Sequence, residues 1–227
     1  MRLNPNATIR IEKVRRDIPV LMIDDFYEDA DAVREEGVKA SFDQSLAFYP
    51  GRHASISNPQ VDIVKSQLCA IVGAVSGLKV PAQQVHSDFS LLTTRPSDLL
   101  SAQKHPHTDP VALTGIVYLT PHSNSGTNLF YNRVLDLHAV TTEEDKSRLA
   151  EFMDGAGAAF VPKGYQVDTE CWEKLYTIEG KYNRYASFPG CVFHSIDVVD
   201  VPEHVRTDTA RLTQRFLFSY PNSGASS

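Results

Sequence analysis

Apolar and polar residues follow two different periods along this chain. Residues 18–27 (IPVLMIDDFY) form a short apolar run ending in acids, which predicts a buried strand followed by a helix near 28–41. The later segment NPQVDIVKSQLCAIVGAVSG has apolar residues at helical spacing. Asn58 is the expected N-cap of this helix, Pro59 its first residue and Gly77 its stop signal. The first third of the chain is therefore predicted to contain one strand and two helices.

From residue 84 onwards the pattern changes to short strands separated by Gly, Pro and Asn turns. The predicted strands are QVHSDFSLLTT and residues 113–120, 127–132, 182–190, 192–199 and 211–220. So many short strands indicate a sandwich or barrel. Residues 133–181 interrupt the series, and the acids that follow Thr141 or Thr142 predict a helical insertion there.

The length of 227 residues fits one medium domain of mainly β structure with supporting helices. We expect residues 1–83 to supply an N-terminal strand and helices that pack on a barrel. Residues 84–220 are expected to form that barrel, with the helical insertion near 133–181. Residues 221–227 are expected to be a tail.

Composition narrows the class of protein. Apolar residues make up 42% of the chain and charged residues 22%, which is ordinary for a soluble protein with a full core. The net charge of -6 argues against a nucleic-acid partner. Three widely spaced cysteines make neither a disulfide framework nor a zinc site. With no signal-peptide pattern and no membrane-spanning run, the expected location is the cytoplasm.

Two His-x-Asp triplets offer candidate metal ligands, and a triplet this short also arises by chance. Strand alternation places His86 and Asp88 on one polar face, which explains that pair as structural, with substrate contact as the alternative. His107 and Asp109 instead stand where a polar loop enters an apolar strand, with a proline on each side. Rigid loop–strand junctions of this kind often present catalytic groups.

A third ligand for the second pair is available on a late strand. In FPGCVFHSI, His194 shares a strand face with Val192 and would point into the barrel. Two histidines and one carboxylate form the facial triad of non-haem Fe(II) oxygenases, which leaves positions open for a co-substrate and O₂. The sequence therefore favours His107, Asp109 and His194 as one iron site.

The C-terminal strand carries two arginines on one face. Arg211, Thr213 and Arg215 alternate, while the apolar residues between and after them do not complete a clean second face, so a bulge is one interpretation. An arginine that points into a barrel is costly unless it meets an anion, and a carboxylate is its natural partner. A surface ion pair is the alternative for either arginine.

These motifs, taken in order, resemble the Fe(II)/2-oxoglutarate-dependent oxygenases, in particular small bacterial members similar to prolyl hydroxylases. The resemblance covers roughly residues 84–220, and VLMIDDFYEDADAVREEG also resembles the opening of such proteins. It rests on His107-Thr108-Asp109, Tyr118-Leu119, Gly126-Thr127, NRYASFPG before His194, and Arg211-Leu212-Thr213.

The resemblance implies a double-stranded β-helix, or jelly roll, with Fe(II) and 2-oxoglutarate as metal and co-substrate. It implies that the metal ligands are His107, Asp109 and His194, and that the distal carboxylate of 2-oxoglutarate meets Arg211, Thr213 and Tyr118. The interval between His194 and Arg211 is longer than usual for the family, so Arg215 remains an alternative for this role.

The implied reaction is hydroxylation of an unactivated C–H in a small molecule, an amino acid or a peptide. Related halogenases lack the carboxylate ligand, so the presence of Asp109 favours hydroxylation, with desaturation as a further outcome. Candidate substrate contacts are His86, Asp88 and His105, and residues 133–181 are a candidate lid. The alternatives are a cupin-like metalloenzyme that does not use 2-oxoglutarate and a non-catalytic jelly-roll binding protein.

Overall fold

The computed structural model describes residues 1–44, 49–122, 125–160, 162–165, 167, 169–198 and 210–220. The strands in these ranges are β1 Thr8–Val14, β2 Ile18–Asp24, β3 Asp43–Gln44, β4 Gly51–Ser55, β5 Val85–Leu92, β6 Leu113–Tyr118, β7 Thr127–Asn132, β8 Trp172–Ile178, β9 Tyr185–Pro189, β10 His194–Ile196 and β11 Leu212–Phe218. The α-helices are α1 Ala30–Lys39, α2 Gln60–Ser76, α3 Glu143–Asp154 and α4 Ala156–Ala159.

The strands form two antiparallel sheets. The large sheet has the order β1-β2-β9-β6-β11-β5-β4-β3, and the small sheet has the order β10-β7-β8. Strands that are neighbours in these sheets are mostly distant in sequence, as in a jelly roll. The predicted fold class, a double-stranded β-helix with supporting helices, is confirmed.

The helices begin and end at residues that satisfy free backbone groups. The Asp29 side chain accepts a hydrogen bond of 2.9 Å from the backbone N–H of Ala32 at the start of α1. At the start of α2, Oδ1 of Asn58 accepts a hydrogen bond of 3.0 Å from the backbone N–H of Gln60, and Pro59 between them has helical dihedral angles, as the sequence predicts. Gly77 ends α2 with φ of 73°, a left-handed conformation that glycine adopts without strain.

The two faces of β11 have different environments. Leu212, Phe216 and Phe218 pack with residues of α1 and α2 in the largest apolar cluster. The bulge considered for this strand is absent, since its pairing with β5 is continuous from Leu212 to Phe218. The apolar face of β11 looked incomplete in the sequence because Gln214 occupies one of its positions. There, Oε1 of Gln214 accepts a 2.6 Å hydrogen bond from the Tyr27 hydroxyl. The opposite face of β11 looks between the two sheets.

The N-terminal segment contributes more strands than the sequence pattern predicts. One strand was expected in residues 1–83, and the structure has β1, β2, β3 and β4 there. β1 is an edge strand with mostly exposed residues, so it lacks the apolar run that marks β2. β4 pairs with β5 and thereby extends the large sheet. The division of the chain at residue 84 stays a prediction, and the predicted tail at 221–227 lies outside the described residues.

The insertion at 133–181 contains the predicted helix, α3, capped by Thr142 and Asp145 in a reciprocal pair of hydrogen bonds. Phe152 on α3 packs edge-on against Trp172, and Trp172 packs against Phe193 beside β10. These contacts fix α3 next to the small sheet. Within the described ranges, none of the helices combines the length and apolar character that crossing a bilayer requires.

Candidate metal centre and its cavity

His107, Asp109 and His194 converge between the sheets, and one potential ligand atom from each lies within 4.8 Å of the others. Backbone hydrogen bonds hold the three residues in register. His107 and His194 exchange two N–H···O bonds of 2.9 Å, and the N–H of Asp109 donates to the carbonyl of Gly190 at 2.8 Å. The loop that carries the first two ligands is therefore tied directly to the strand that carries the third.

Neighbouring groups orient the side chains for metal binding. Nδ1 of His194 lies 2.9 Å from the carbonyl of Val192 and donates to it, which leaves Nε2 as the free donor atom. That Nε2 is 3.4 Å from Oδ2 of Asp109. The Thr114 hydroxyl donates to the same oxygen at 2.5 Å. Two imidazole nitrogens and one oriented carboxylate fit a divalent metal of the Fe(II) type.

The protonation states of two of the three side chains suit a metal. The pKa of His107 is lowered by partial loss of solvation and by the nearby His194, although its side chain is 52% exposed. Burial alone would raise the pKa of Asp109, but the two histidines and Thr114 outweigh it, so this pKa is lowered. Burial would lower the pKa of His194, but the adjacent Asp109 carboxylate raises it. At neutral pH, His107 is a neutral ligand and Asp109 an ionised one.

The three residues line a cavity of about 540 Å³. Its floor is the inner face of the large sheet, including Thr114, Ile116, Arg211, Thr213 and Arg215. The insertion supplies an apolar wall from Leu149, Met153, Tyr165 and Val167. A space of this size suits a small molecule or the end of a larger one.

The two candidate arginines have different partners. Arg215 is bound by the Asp88 carboxylate through two hydrogen bonds of 2.8 and 2.5 Å. Arg211 is 8% exposed and donates to the backbone carbonyls of Ser125 at 3.4 Å and Gly126 at 3.0 Å. Within the described ranges, no carboxylate lies within 4.0 Å of Arg211. Arg211 is therefore a buried cation that no carboxylate of the described residues neutralises.

The other two residues expected at the co-substrate site lie beside Arg211. Thr213 pairs with Tyr118 across β11 and β6 and lines the cavity. The Tyr118 hydroxyl is 2.9 Å from the Thr127 hydroxyl, and its ring centroid is 5.5 Å from the Arg211 guanidinium carbon. Arg211 and Thr213 thus line the cavity, whereas Tyr118 lies beside Arg211 in an apolar cluster and is not one of the lining residues.

Of the three candidate substrate contacts, His105 lines the cavity, whereas Asp88 binds Arg215 and His86 is largely exposed. Asp88 is buried against Arg215. Burial opposes ionisation of the Asp88 carboxyl, but hydrogen bonds from His86 and Arg215 outweigh this effect and lower its pKa to about 2. These contacts agree with a structural role for Asp88, while the His86 side chain is 64% exposed. His105 is buried and lines the cavity, and its Nδ1 has no hydrogen-bond partner among the described residues.

Sequence reasoning missed several residues of the site. Thr114 and Ile116 line the cavity, and they alternate with Tyr118 in LTGIVYLT, so the strand period places all three on one face of β6. Thr127, which contacts Tyr118, stands at the start of β7 within the Gly-Thr turn. No strand alternation in the sequence marks Tyr49 as a cavity residue. It lies just before β4, and the pairing of β4 with β5 brings it to the cavity.

Comparison with known proteins yields one family and a set of distant structures. The model of a family of unknown function, DUF6445, matches residues 5–218. Among solved structures, the non-heme alpha ketoglutarate dependent carbocyclase SnoK from nogalamycin biosynthesis is 13% identical, with a TM-score of 0.52 over 88% of this chain and 79% of SnoK. HygX from Streptomyces hygroscopicus, solved with nickel and 2-oxoglutarate bound, is 11% identical, with a TM-score of 0.46 over 89% and 83%.

The likeness to SnoK extends over most of both chains and is a likeness of fold. No curated protein sequence matches the chain. The narrower resemblance to prolyl hydroxylases stays a prediction. The match over residues 5–218 establishes that the chain belongs to the DUF6445 family.

Proposed function

We propose that this protein is an Fe(II)- and 2-oxoglutarate-dependent oxygenase that hydroxylates a small molecule, an amino acid or a peptide. One observation carries the proposal. The cavity that brings His107, Asp109 and His194 within 4.8 Å of one another also contains Arg211, which has no carboxylate partner among the described residues. A cation buried in this way needs an anion, and a dicarboxylate co-substrate provides one.

Each residue has a distinct role in this proposal. His107, Asp109 and His194 hold Fe(II), with His194 oriented through its bond to the Val192 carbonyl. Arg211 binds the distal carboxylate of 2-oxoglutarate in a charge-assisted pair, and Thr213 beside it lines the same wall.

When bound, iron and 2-oxoglutarate supply the oxidising power that attacks an unactivated C–H bond. The protein positions the substrate and keeps water away, and the apolar side chains of Leu149 and Met153 over the cavity suit that task. Because Asp109 occupies the carboxylate position, hydroxylation is favoured over halogenation. The insertion with α3 is the proposed lid, and His105 is a proposed substrate contact.

The proposal is tested with protein reconstituted anaerobically with Fe(II). Addition of 2-oxoglutarate is expected to give the visible absorption band of the chelated complex, and oxygen is then expected to give succinate. Asp109→Ala should lose both signals, whereas Asp98→Ala, at an exposed ion pair with Arg95, should keep them.

Three other results would contradict this assignment. Undiminished succinate formation by Asp109→Ala would overturn the ligand set. Substrate turnover with Fe(II) and no 2-oxoglutarate would indicate a cupin-like metalloenzyme instead. Failure of the wild-type protein to retain any Fe(II) would indicate a non-catalytic binding protein.

A further inference from the structure

The cavity contains a second arginine that the co-substrate does not require. Arg215 lies on the cavity side of β11, four residues after Arg211, which directly precedes the strand; extended backbone separates their Cα atoms by about 13 Å. Arg215 pairs with Ile116 of β6, two residues from Thr114, whose hydroxyl holds Asp109. Arg215 therefore lies towards the metal ligands, and Arg211 lies towards the opposite end of the cavity.

Asp88 fixes the side chain of Arg215 without using all of its donors. The two hydrogen bonds engage Nε and Nη2, and no described residue accepts a hydrogen bond from Nη1. The side chain is 24% exposed, and it lines the cavity. A guanidinium held in one rotamer loses little further entropy when it binds an anion, so the site is preorganised.

A second donor stands beside Arg215. The Tyr49 hydroxyl is buried, has no hydrogen-bond partner among the described residues, and belongs to a residue that lines the cavity. The ring centroid of Tyr49 is 6.0 Å from the guanidinium carbon of Arg215. Burial raises the pKa of this hydroxyl and outweighs the opposing effect of the nearby Arg211 and Arg215, so it is a neutral O–H donor at neutral pH. A buried donor without an acceptor indicates that a ligand supplies the acceptor.

We propose that Arg215 and Tyr49 bind a carboxylate group of the substrate, and that Asp88 is the positioning residue for Arg215. This inference rests on the proposed function, in which Arg211 is occupied by 2-oxoglutarate. The cavity wall includes the apolar residues Ile116, Leu149, Met153, Val167 and Ile196, beside polar ones such as Gln103, Lys104 and Thr108. The substrate class that fits this lining is a small carboxylic acid with an apolar portion.

Binding is measured without turnover, on protein loaded with Ni(II) and saturating 2-oxoglutarate. The probes are hexanoate, octanoate, 4-phenylbutyrate and N-acetyl-leucine, each compared with its neutral primary amide by calorimetry. At least one carboxylate is expected to bind about tenfold or more tightly than its amide, as a charge-assisted hydrogen bond predicts. Arg215→Gln should abolish that preference and leave the Kd for 2-oxoglutarate within about twofold.

Two control variants show whether a loss of preference comes from misfolding. Asp88→Asn/Arg215→Gln removes both partners and so leaves no unpaired buried carboxylate; it should match Arg215→Gln. Arg15→Gln breaks an exposed ion pair with Glu173 outside the cavity and should retain the wild-type preference. Tyr49→Phe should reduce the preference for the carboxylate.

The outcomes separate this inference from the proposed function. Normal 2-oxoglutarate binding with no carboxylate preference in any probe pair overturns the inference alone. Loss of 2-oxoglutarate binding in Arg215→Gln, with Arg211→Gln unaffected, assigns Arg215 to the co-substrate and also overturns it. A wild-type protein that binds Ni(II) but not 2-oxoglutarate overturns the proposed function and the inference that rests on it.

Discussion

The Thr114 hydroxyl donates a 2.5 Å hydrogen bond to Oδ2 of Asp109. Thr114 is on β6, in the large sheet, whereas Asp109 is in the loop that precedes this strand. The bond fixes the plane of the carboxylate, whose other oxygen, Oδ1, is 3.9 Å from Nε2 of His107. The sheet thus orients a ligand that the loop alone would leave free to rotate.

Replacing Thr114 by Val, which has nearly the same shape, removes this hydrogen bond. We expect the affinity for Fe(II) or Ni(II) to fall by about 10–100-fold, the usual effect of losing a group that orients a metal ligand. Metal titration of the purified protein measures it. Thr177→Val serves as the control, because the Thr177 hydroxyl binds Asn128 outside the cavity. Equal metal affinities in the two variants would show that Thr114 does not orient Asp109.

Arg211→Lys keeps the positive charge but loses the planar fork that matches a carboxylate. We expect the Kd for 2-oxoglutarate to rise by about tenfold or more, with metal affinity unchanged, because Arg211 is not one of the three metal ligands. Titration of the Fe(II)–2-oxoglutarate absorption band gives the Kd. The exposed Arg15→Lys variant should bind as the wild type does. An unchanged Kd in Arg211→Lys would remove Arg211 from the co-substrate site.

The ion pair between Asp88 and Arg215 makes stability depend on acid pH. Asp88 has a pKa of about 2 in the folded protein against 3.8 as the ordinary value, so the folded state favours its ionised form. Its contribution, on the order of 2 kcal/mol, is therefore complete above pH 4 and is lost as pH falls from about 4 to 2. Urea unfolding of wild type and Asp88→Asn at pH 5, 4 and 3 should show a shallower pH dependence in the variant. Parallel curves would contradict the assignment.

The insertion depends on Phe152 for its position over the cavity. Phe152 is 4% exposed and packs against Trp172 with ring centroids 6.0 Å apart. Phe152→Ala should lower the free energy of unfolding by about 3–5 kcal/mol, as truncations of buried aromatic side chains do. Phe160→Ala, at a 40% exposed position, should cost much less. Urea denaturation compares the two, and equal losses would mean that α3 is not anchored through Phe152.

The sequence by itself determined the features that depend on local periodicity. Apolar or alternating segments placed β5, β6 and β11 correctly; the acids after β2 placed α1, and the cap at Thr141 or Thr142 placed α3, each within a few residues. It failed for β1, whose exposed edge position requires no apolar pattern. The sequence pattern also suggested a bulge in β11, which is in fact a regular strand. Gln214 interrupts its apolar face, and only the hydrogen bond from Tyr27 explains a polar residue there.

The sequence also identified His107, Asp109 and His194 as one candidate set, but their convergence depends on paired backbone segments distant along the chain. The distinction between Arg211 and Arg215 was not accessible from the sequence, because both alternate on one strand face. Only the register of β11 against β5 places Arg215 opposite Asp88 and leaves Arg211 without a described carboxylate. Strand register joins residues more than a hundred positions apart, and no local pattern encodes which charge meets which partner.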